Sequence, residues 1–360
     1  MQRIILHIDL DSFYASLEEL RHENIRGKAV VICVYSGRSE DSGAVSTANY
    51  KARELGIKSG MPISLAKRLA KDKDVAFLPN DIEYYRTVSD RIMEILEEET
   101  DIMQQVSIDE SYLDVTKKSN ENWNNAKKIA EIIKKKIKEQ EGLTCSVGIG
   151  HNKLVAKMAS KHKKPDGLTI IKDTEIKKFF ENLPASKIHG VGGKTTKVLD
   201  ELGIKTAKDL ADFDVNILEE KFGRNKAKLL LDKARGIDDS PVEQKERQQI
   251  SRLGTLKEDT DDVVTIFEKI KELATDMKKK IEKEKVSFRT ISLITIDTAL
   301  KTQTRSETIQ VTNDLDSVLP IVKSLLERFL EENSEKKLRR VGIRASNFIY
   351  KKEQKTLGDF

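Results

Sequence analysis

"QQVSIDESYLDV", residues 104–115, alternates apolar and polar positions like a half-buried strand, yet sets two acids, Asp109 and Glu110, side by side in its middle. Alternation of this kind puts one face on a core and the other in water. A further acid in a comparable setting is Asp9, which ends the apolar run "RIILHID" at residues 3–9. If strand 3–9 pairs antiparallel with a hairpin of strands 102–107 and 109–115, the three carboxylates meet at strand ends. They then repel one another unless a cation neutralises them. Hard oxygen ligands suit Mg²⁺, which takes one or two carboxylates plus substrate phosphates. Two such ions about 4 Å apart clamp the attacking and leaving oxygens of a phosphoryl transfer. The pattern also admits a plainer reading, acids that face water or cap a turn. Adjacent strand residues point to opposite faces, so Asp109 and Glu110 share an ion only if the backbone bends there.

The chain has 360 residues, 38% hydrophobic and 35% charged, with 5% aromatic. That is enough for two to four domains of ordinary size. No apolar run reaches the roughly 18 residues of a spanning helix, and the N-terminal run is too short for a signal peptide. A cytoplasmic protein without membrane contact is expected. Cys33 and Cys145 sit in apolar runs and read as buried thiols, since a zinc site needs more ligands at closer spacing. The net charge of +5 permits a nucleic-acid partner without arguing for one, because Lys and Glu are mixed almost everywhere.

Along the chain, Asp11 or Ser12 is placed to cap a helix through Arg21, a strand follows at 28–35, and "STANYKARELG" reads as a short helix ending at Gly56. Amphipathic spacing predicts helices over about 81–99 and 121–140, the second with Trp123, Ala126, Ile129, Ile133 and Ile137 on one face. "TCSVGIG" is a strand, followed by a helix over 152–162. Short helices with Gly-rich turns fill 173–235, where "HGVGGKTTKVLDELGI" and "KFGRNKAKLLLDKARG" look like variants of one unit. Residues 237–249 are polar and read as a linker. The remainder runs strand, helix (261–284), two strands, helix (315–332), strand: a β-α-β-β-α-β plan. The fold class is multidomain α+β.

"HIDLDSFYASLEE", "SGAVSTANYKARELGIKSGMP", "VSIDESYLDV", "SVGIGHNKLVAKMAS" and "KKPDG" occur in this order. Together they resemble the Y-family translesion DNA polymerases, especially the archaeal DNA polymerase IV type, over essentially the whole chain. The resemblance implies a right-hand polymerase: palm at 1–12 and 81–170 with a βαββαβ-like sheet, fingers at 21–80, thumb at 171–236, linker at 237–249, little finger at 250–350. It implies catalytic metal ligands at Asp9, Asp109 and Glu110 with the Leu10 carbonyl, holding two Mg²⁺ ions. It implies nucleotide contacts from Phe13, Tyr14, Thr47, Tyr50, Arg53 and Lys164. Thr47, Tyr50 and Arg53 fall at i, i+3 and i+6, expected on one face of a short helix. Tyr14 matches the steric gate, the ring that excludes a ribose 2′-hydroxyl. Leu10 and Ser12 depart from relatives that often carry aromatics there. Small residues in "SGAVS" imply weak shape checking over the nascent base pair, hence low fidelity and tolerance of damaged templates.

"HGVGG" before "KTTKVLDEL" is a helix-hairpin-helix signature, in which glycines and a helix start approach a phosphate closely. Gly190, Gly192 and Lys194 are the expected DNA contacts there. In the last strand, Val341, Ile343 and Ala345 share one face, and Arg340, Gly342 and Arg344 the other. With Arg252, Arg340 and Arg344 are expected along the DNA backbone. The tail spacing Gln354, Leu357, Phe360 resembles a sliding-clamp-binding box. The implied partners are primer–template DNA, a dNTP and a sliding clamp, bound by a monomer. A non-catalytic DNA and clamp adaptor is the rival reading; the complete set of acids, Arg53 and Lys164 argues against it. A related enzyme that inserts one nucleotide from a protein template would need insertions that are not seen.

Overall fold

β1 (Ile5–Leu10) is buried at every position, because both faces of its sheet are covered. Leu6, Ile8 and Leu10 point into one core, whereas Ile5, His7 and Asp9 point to the opposite face. The computed structural model describes residues 3–244 and 246–350. The chain forms two units: one from the residues up to Val34 and from Val45 to the 245/246 boundary, the other from Tyr35–Ala44 and the residues after that boundary.

In the first unit, β1 is central to a five-stranded sheet of order β5-β6-β1-β7-β8. Its partners are β5 (Ile102–Gln105), β6 (Glu110–Asp114), β7 (Cys145–Gly150) and β8 (Leu168–Ile170). The helices α1 (Phe13–Arg21), α4 (Ile82–Glu98) and α5 (Trp123–Glu141) bury their apolar stripes on one face. α6 (Lys153–His162) lies on the other, very close to β7: a Cβ on Gly148 would sit 2.0 Å from the Ala156 carbonyl oxygen. A second sheet, β3-β2-β4, consists of β2 (Ala29–Tyr35), β3 (Gly43–Ala48) and β4 (Val75–Pro79), packed on α2 (Tyr50–Glu54) and α3 (Ile63–Leu69). A helical cluster follows: α7 (Asp173–Glu181), α8 (Gly193–Glu201), α9 (Ala207–Ala211), α10 (Val215–Phe222) and α11 (Arg224–Ala234).

Several expectations are corrected here. Ser46–Ala48, expected as the start of a helix, belong to the strand 43–48, and Asn49 caps α2 by accepting from the Ala52 N–H. β4 and β8 carry no alternation and were not expected. α1 begins at Phe13, but Ser12 is left-handed (φ 47°) and its side chain makes no cap bond; the Asp11 carboxylate is engaged elsewhere. The hairpin strands are shorter than 102–107 and 109–115, because residues 107–109 bend. The start of the polar stretch 237–249 is held on the first unit. Arg3 donates to the carbonyls of Asp238 and Ser240, Lys153 to that of Pro241, and Val242 is buried beside Ile5, Tyr112 and Ala156.

The second unit has a four-stranded sheet of order β11-β10-β12-β9 with two helices. Its elements are β9 (Gln249–Thr260), α12 (Val263–Glu284), β10 (Val286–Asp297), β11 (Thr302–Thr312), α13 (Leu319–Glu332) and β12 (Leu338–Tyr350), the expected order. Tyr35–Ala44 belongs here because Arg38 donates to the Leu256 carbonyl and pairs with Asp259.

Candidate active site

The antiparallel register of β1 and β6 sets Asp9 directly opposite Glu110, so their side chains share the α6 face. Asp109 lies on the bend before β6, and its carbonyl accepts from the Leu10 N–H at 3.0 Å. The bend breaks strand alternation just where the two adjacent acids fall. Asp109 Oδ1 is fixed by the Ser107 hydroxyl at 2.6 Å.

Two lysines balance these acids. Lys164 binds Asp9 directly, and Lys157 Nζ lies 2.6 Å from Glu110 Oε2. Burial pushes the Asp9 carboxyl up to about 6; Lys164 pulls it down, and the Glu110 and Asp109 charges add to the rise. Burial also raises Glu110, but the hydrogen bond and charge of Lys157 outweigh it and hold this carboxyl below its ordinary value. Lys157 is buried, with His7 Nε2 behind it at 3.4 Å, and His7 Nδ1 meets the Ser160 hydroxyl at 2.8 Å. Burial, then the charge of Lys157, keeps His7 neutral well below the usual histidine range. Among the described residues no three His, Cys, Asp or Glu side chains form a ready cage for a metal. The lysines hold Asp9 and Glu110 instead. The donor chemistry nonetheless fits a divalent ion: hard carboxylate oxygens, crowded and partly buried.

Asp11 organises the surroundings and was missed as anything but a cap. It is buried and accepts from Ser146 Oγ (2.8 Å), Thr144 Oγ1 (3.0 Å) and the Asp166 N–H (2.8 Å). It also lies 3.4 Å from Tyr50 Oη and 3.9 Å from Lys164 Nζ. The signal available was the "DLD" spacing: on a strand, i and i+2 share a face. Burial, followed by the Asp11 charge, pushes the Tyr50 phenol up to about 12. The Arg53 guanidinium stacks 5.0 Å from the Tyr50 ring, its Nε bound to the Ala48 carbonyl at 2.8 Å. Tyr50 and Arg53 thus share α2, while Thr47 lies on β3, two residues before the Asn49 cap. The expected single helix face is therefore replaced by a strand-to-helix corner. Phe13 is buried in the core, whereas Tyr14 is half-buried, and burial together with the Asp109 charge raises its phenol.

Gly190 has φ +91°, and a Cβ there would meet Lys233 Nζ at 2.6 Å. Gly192 caps α8 with nothing within 4 Å of an added Cβ, and Lys194 is exposed in the first turn. In the second unit Val341, Ile343 and Ala345 enter the core, as expected, with Arg340 and Arg344 on the other face. Arg252 does not join them. It pairs directly with Ile343, so it faces α12, where its Nε binds Asp276. Gln354, Leu357 and Phe360 lie outside the described residues.

Comparison with known proteins places the chain in a family. Residues 8–161 match the impB/mucB/samB family and 247–357 its C-terminal domain; 183–237 match the helix-hairpin-helix motif of DNA polymerase eta and Rev1. DNA polymerase IV of Methanosarcina acetivorans is 44% identical, covering all of both chains. That of Nitrosopumilus maritimus is 38% identical over 99% of each. A Y-family DNA polymerase chimera of Dbh and Dpo4 superposes with a TM-score of 0.90 at 35% identity, covering 96% of this chain and 99% of the chimera. An insertion ternary complex of Dbh DNA polymerase gives 0.71 at 34%, over the same shares. The chain belongs to the Y-family DNA polymerases. It is a DNA-directed DNA polymerase of the translesion type. Members of this family are nucleotidyltransferases that typically work with divalent metal ions.

Proposed function

We propose that the enzyme extends a primer on template DNA at the corner formed by Asp9, Asp109 and Glu110. The observation that carries this reading is the β1–β6 register that sets Asp9 opposite Glu110, with Asp109 on the adjoining bend near enough for its charge to act on Asp9, and with Lys164 on Asp9 and Lys157 on Glu110. With the Leu10 carbonyl, these acids would hold two Mg²⁺ ions, which supply activation of the primer 3′-hydroxyl and charge neutralisation of the triphosphate. Lys164, released from Asp9, meets the phosphates together with Tyr50, Arg53 and Thr47; the guanidinium offers a planar fork of donors. Tyr14 stands where it closes the sugar pocket against a 2′-hydroxyl. The palm is 1–12 with 81–170, the fingers 21–80, the thumb 171–236 and the little finger 250–350. Gly190, Gly192 and Lys194 receive DNA phosphates, while Arg340 and Arg344 lie along the duplex. Gln354, Leu357 and Phe360 engage a sliding clamp. The enzyme acts as a monomer in the cytoplasm.

One primer-extension series tests this, with Mg²⁺, four dNTPs, and plain and abasic templates. Wild type extends both templates; Asp109→Ala and Asp9→Ala retain DNA binding and add no nucleotide. A loaded clamp stimulates the full chain but not one lacking residues 351–360. If wild type binds DNA and adds nothing under any divalent ion, the adaptor reading replaces this one.

A further inference from the structure

Tyr14 and Glu18 lie four residues apart on α1 and so share one stripe of that helix, and His22, four residues further, follows its last turn. Tyr85, from α4, is fully buried and stacks on the Tyr14 ring, with centroids 4.5 Å apart and planes 19° from parallel. Its hydroxyl donates to Glu18 Oε1 at 2.8 Å. Glu18 is itself only 3% exposed, and its second oxygen lies 3.2 Å from His22 Nε2. Burial and the Glu18 bond raise the Tyr85 phenol above its ordinary range, so the proton stays on Tyr85 and the carboxylate accepts.

We propose that Glu18 is a positioning residue for sugar selection: by fixing the Tyr85 hydroxyl it fixes the ring on which Tyr14 rests. This rests on the reading of Tyr14 as the gate. A gate selects by height, since a ring that tips back leaves room for one more oxygen. Tyr14 is half-buried, and the ring that lies nearly parallel to it is Tyr85, while Phe13 meets it only at a tilt, with centroids 5.8 Å apart. Stacking alone leaves two rings free to slide over each other, because offset geometries differ little in energy. A buried charge-assisted hydrogen bond at the far end of Tyr85 removes that freedom. Glu18 touches no substrate; its effect passes through two rings.

The test measures kcat/KM for a dNTP and the matching rNTP in single-nucleotide insertion by wild type, Tyr14→Ala, Tyr85→Phe, Glu18→Gln and Glu18→Ala. Tyr85→Phe keeps the stack and loses only the hydroxyl. It and Glu18→Ala should lower the dNTP preference roughly fivefold, the value of one hydrogen bond. The change should appear as faster rNTP insertion with dNTP insertion unchanged. Glu18→Gln, which keeps an acceptor, should stay near wild type. If Tyr14→Ala loses selectivity while Tyr85→Phe and Glu18→Ala keep it, or lose both sugars equally, the brace is overturned and the gate stands. If Tyr14→Ala also keeps full selectivity, the gate assignment falls and the brace with it. Should Glu18→Ala fail to fold, Tyr85→Phe decides.

Discussion

Lys157 shows how much of this site depends on one buried charge. Its side chain is 6% exposed, its nearest counter-charge is Glu110, and the ring behind it is a neutral His7. Removing one partner of a buried pair leaves the other charge without compensation, which costs about 3 kcal/mol or more. Lys157→Met should therefore lower the denaturant midpoint markedly in EDTA. A divalent ion beside Glu110 restores a counter-charge, so saturating Mg²⁺ should recover much of the loss. Equal losses with and without Mg²⁺ would show that Glu110 does not face the ion. At this scale the sequence was legible for the acids themselves, because adjacent carboxylates in an apolar strand are conspicuous. It was not legible for Lys157 or Asp11. One lysine in "LVAKMASKHKK" looks like any other until α6 is laid on the sheet, and an acid at a helix start reads as a cap until its hydrogen bonds are seen elsewhere.

The element that sets these contacts is the β7–α6 pair. α6 approaches so closely that a Cβ on Gly148 would fall 2.0 Å from the Ala156 carbonyl oxygen and 2.2 Å from the Ser160 nitrogen. Both obstacles are backbone, so the helix itself must move. Gly148→Ala should cost about 3 kcal/mol by overpacking, and should weaken nucleotide insertion further by displacing Lys157 and Ser160 together. A stability loss below about 1 kcal/mol would mean that the helix shifts freely and does not set the site. "SVGIG" announced a strand, but nothing in a linear pattern announces that two backbones touch. β3 was hidden for a related reason: "GAVSTA" is short and followed at once by the α2 cap, so its residues read as the helix's own approach. In the second unit the β9–β12 ladder loses register between Leu338 and Arg340, and in that irregular stretch Asp259 takes a two-pronged bond from Arg339 and a further pair from Arg38. The Arg339 and Arg38 hydrogen bonds hold its carboxyl well below the ordinary value of 3.8. A depressed carboxyl gives stability above its unfolded pKa and loses it as pH falls toward the folded one. Asp259→Asn should cost about 1 kcal/mol at neutral pH, as for a well-formed but accessible pair. That difference should close as pH drops below 3.8; a gap unchanged at low pH would assign the effect to packing instead of charge.

At the scale of the whole molecule, the order of elements was readable where a segment keeps its own period, 3.6 in the long helices and two in the outer strands of the second unit, and not at β3, β4 and β8. The faces of β12 were readable for the same reason, whereas Arg252 was not, since pairing register decides its face and register is a property of two strands. That distinction bears on how the enzyme holds DNA. The net charge is only +5 over 360 residues, so binding cannot rest on a general field. On the proposed reading it comes from local sets of phosphate contacts, at the α8 start and on the Arg340–Arg344 face. Each phosphate neutralised releases condensed counterions and adds about 0.9 to the slope of log affinity against log salt. Arg340→Ala with Arg344→Ala should therefore weaken primer–template binding regardless of sequence and flatten the slope by about 1.8. Arg252→Ala, turned toward Asp276, should leave the slope unchanged while slightly lowering stability. Anisotropy titrations at several salt concentrations separate the cases. If Arg252 flattens the slope as much as Arg340 and Arg344 do, its pairing with Asp276 opens when DNA binds, and the helix-bearing side of β9 contributes to the grip as well.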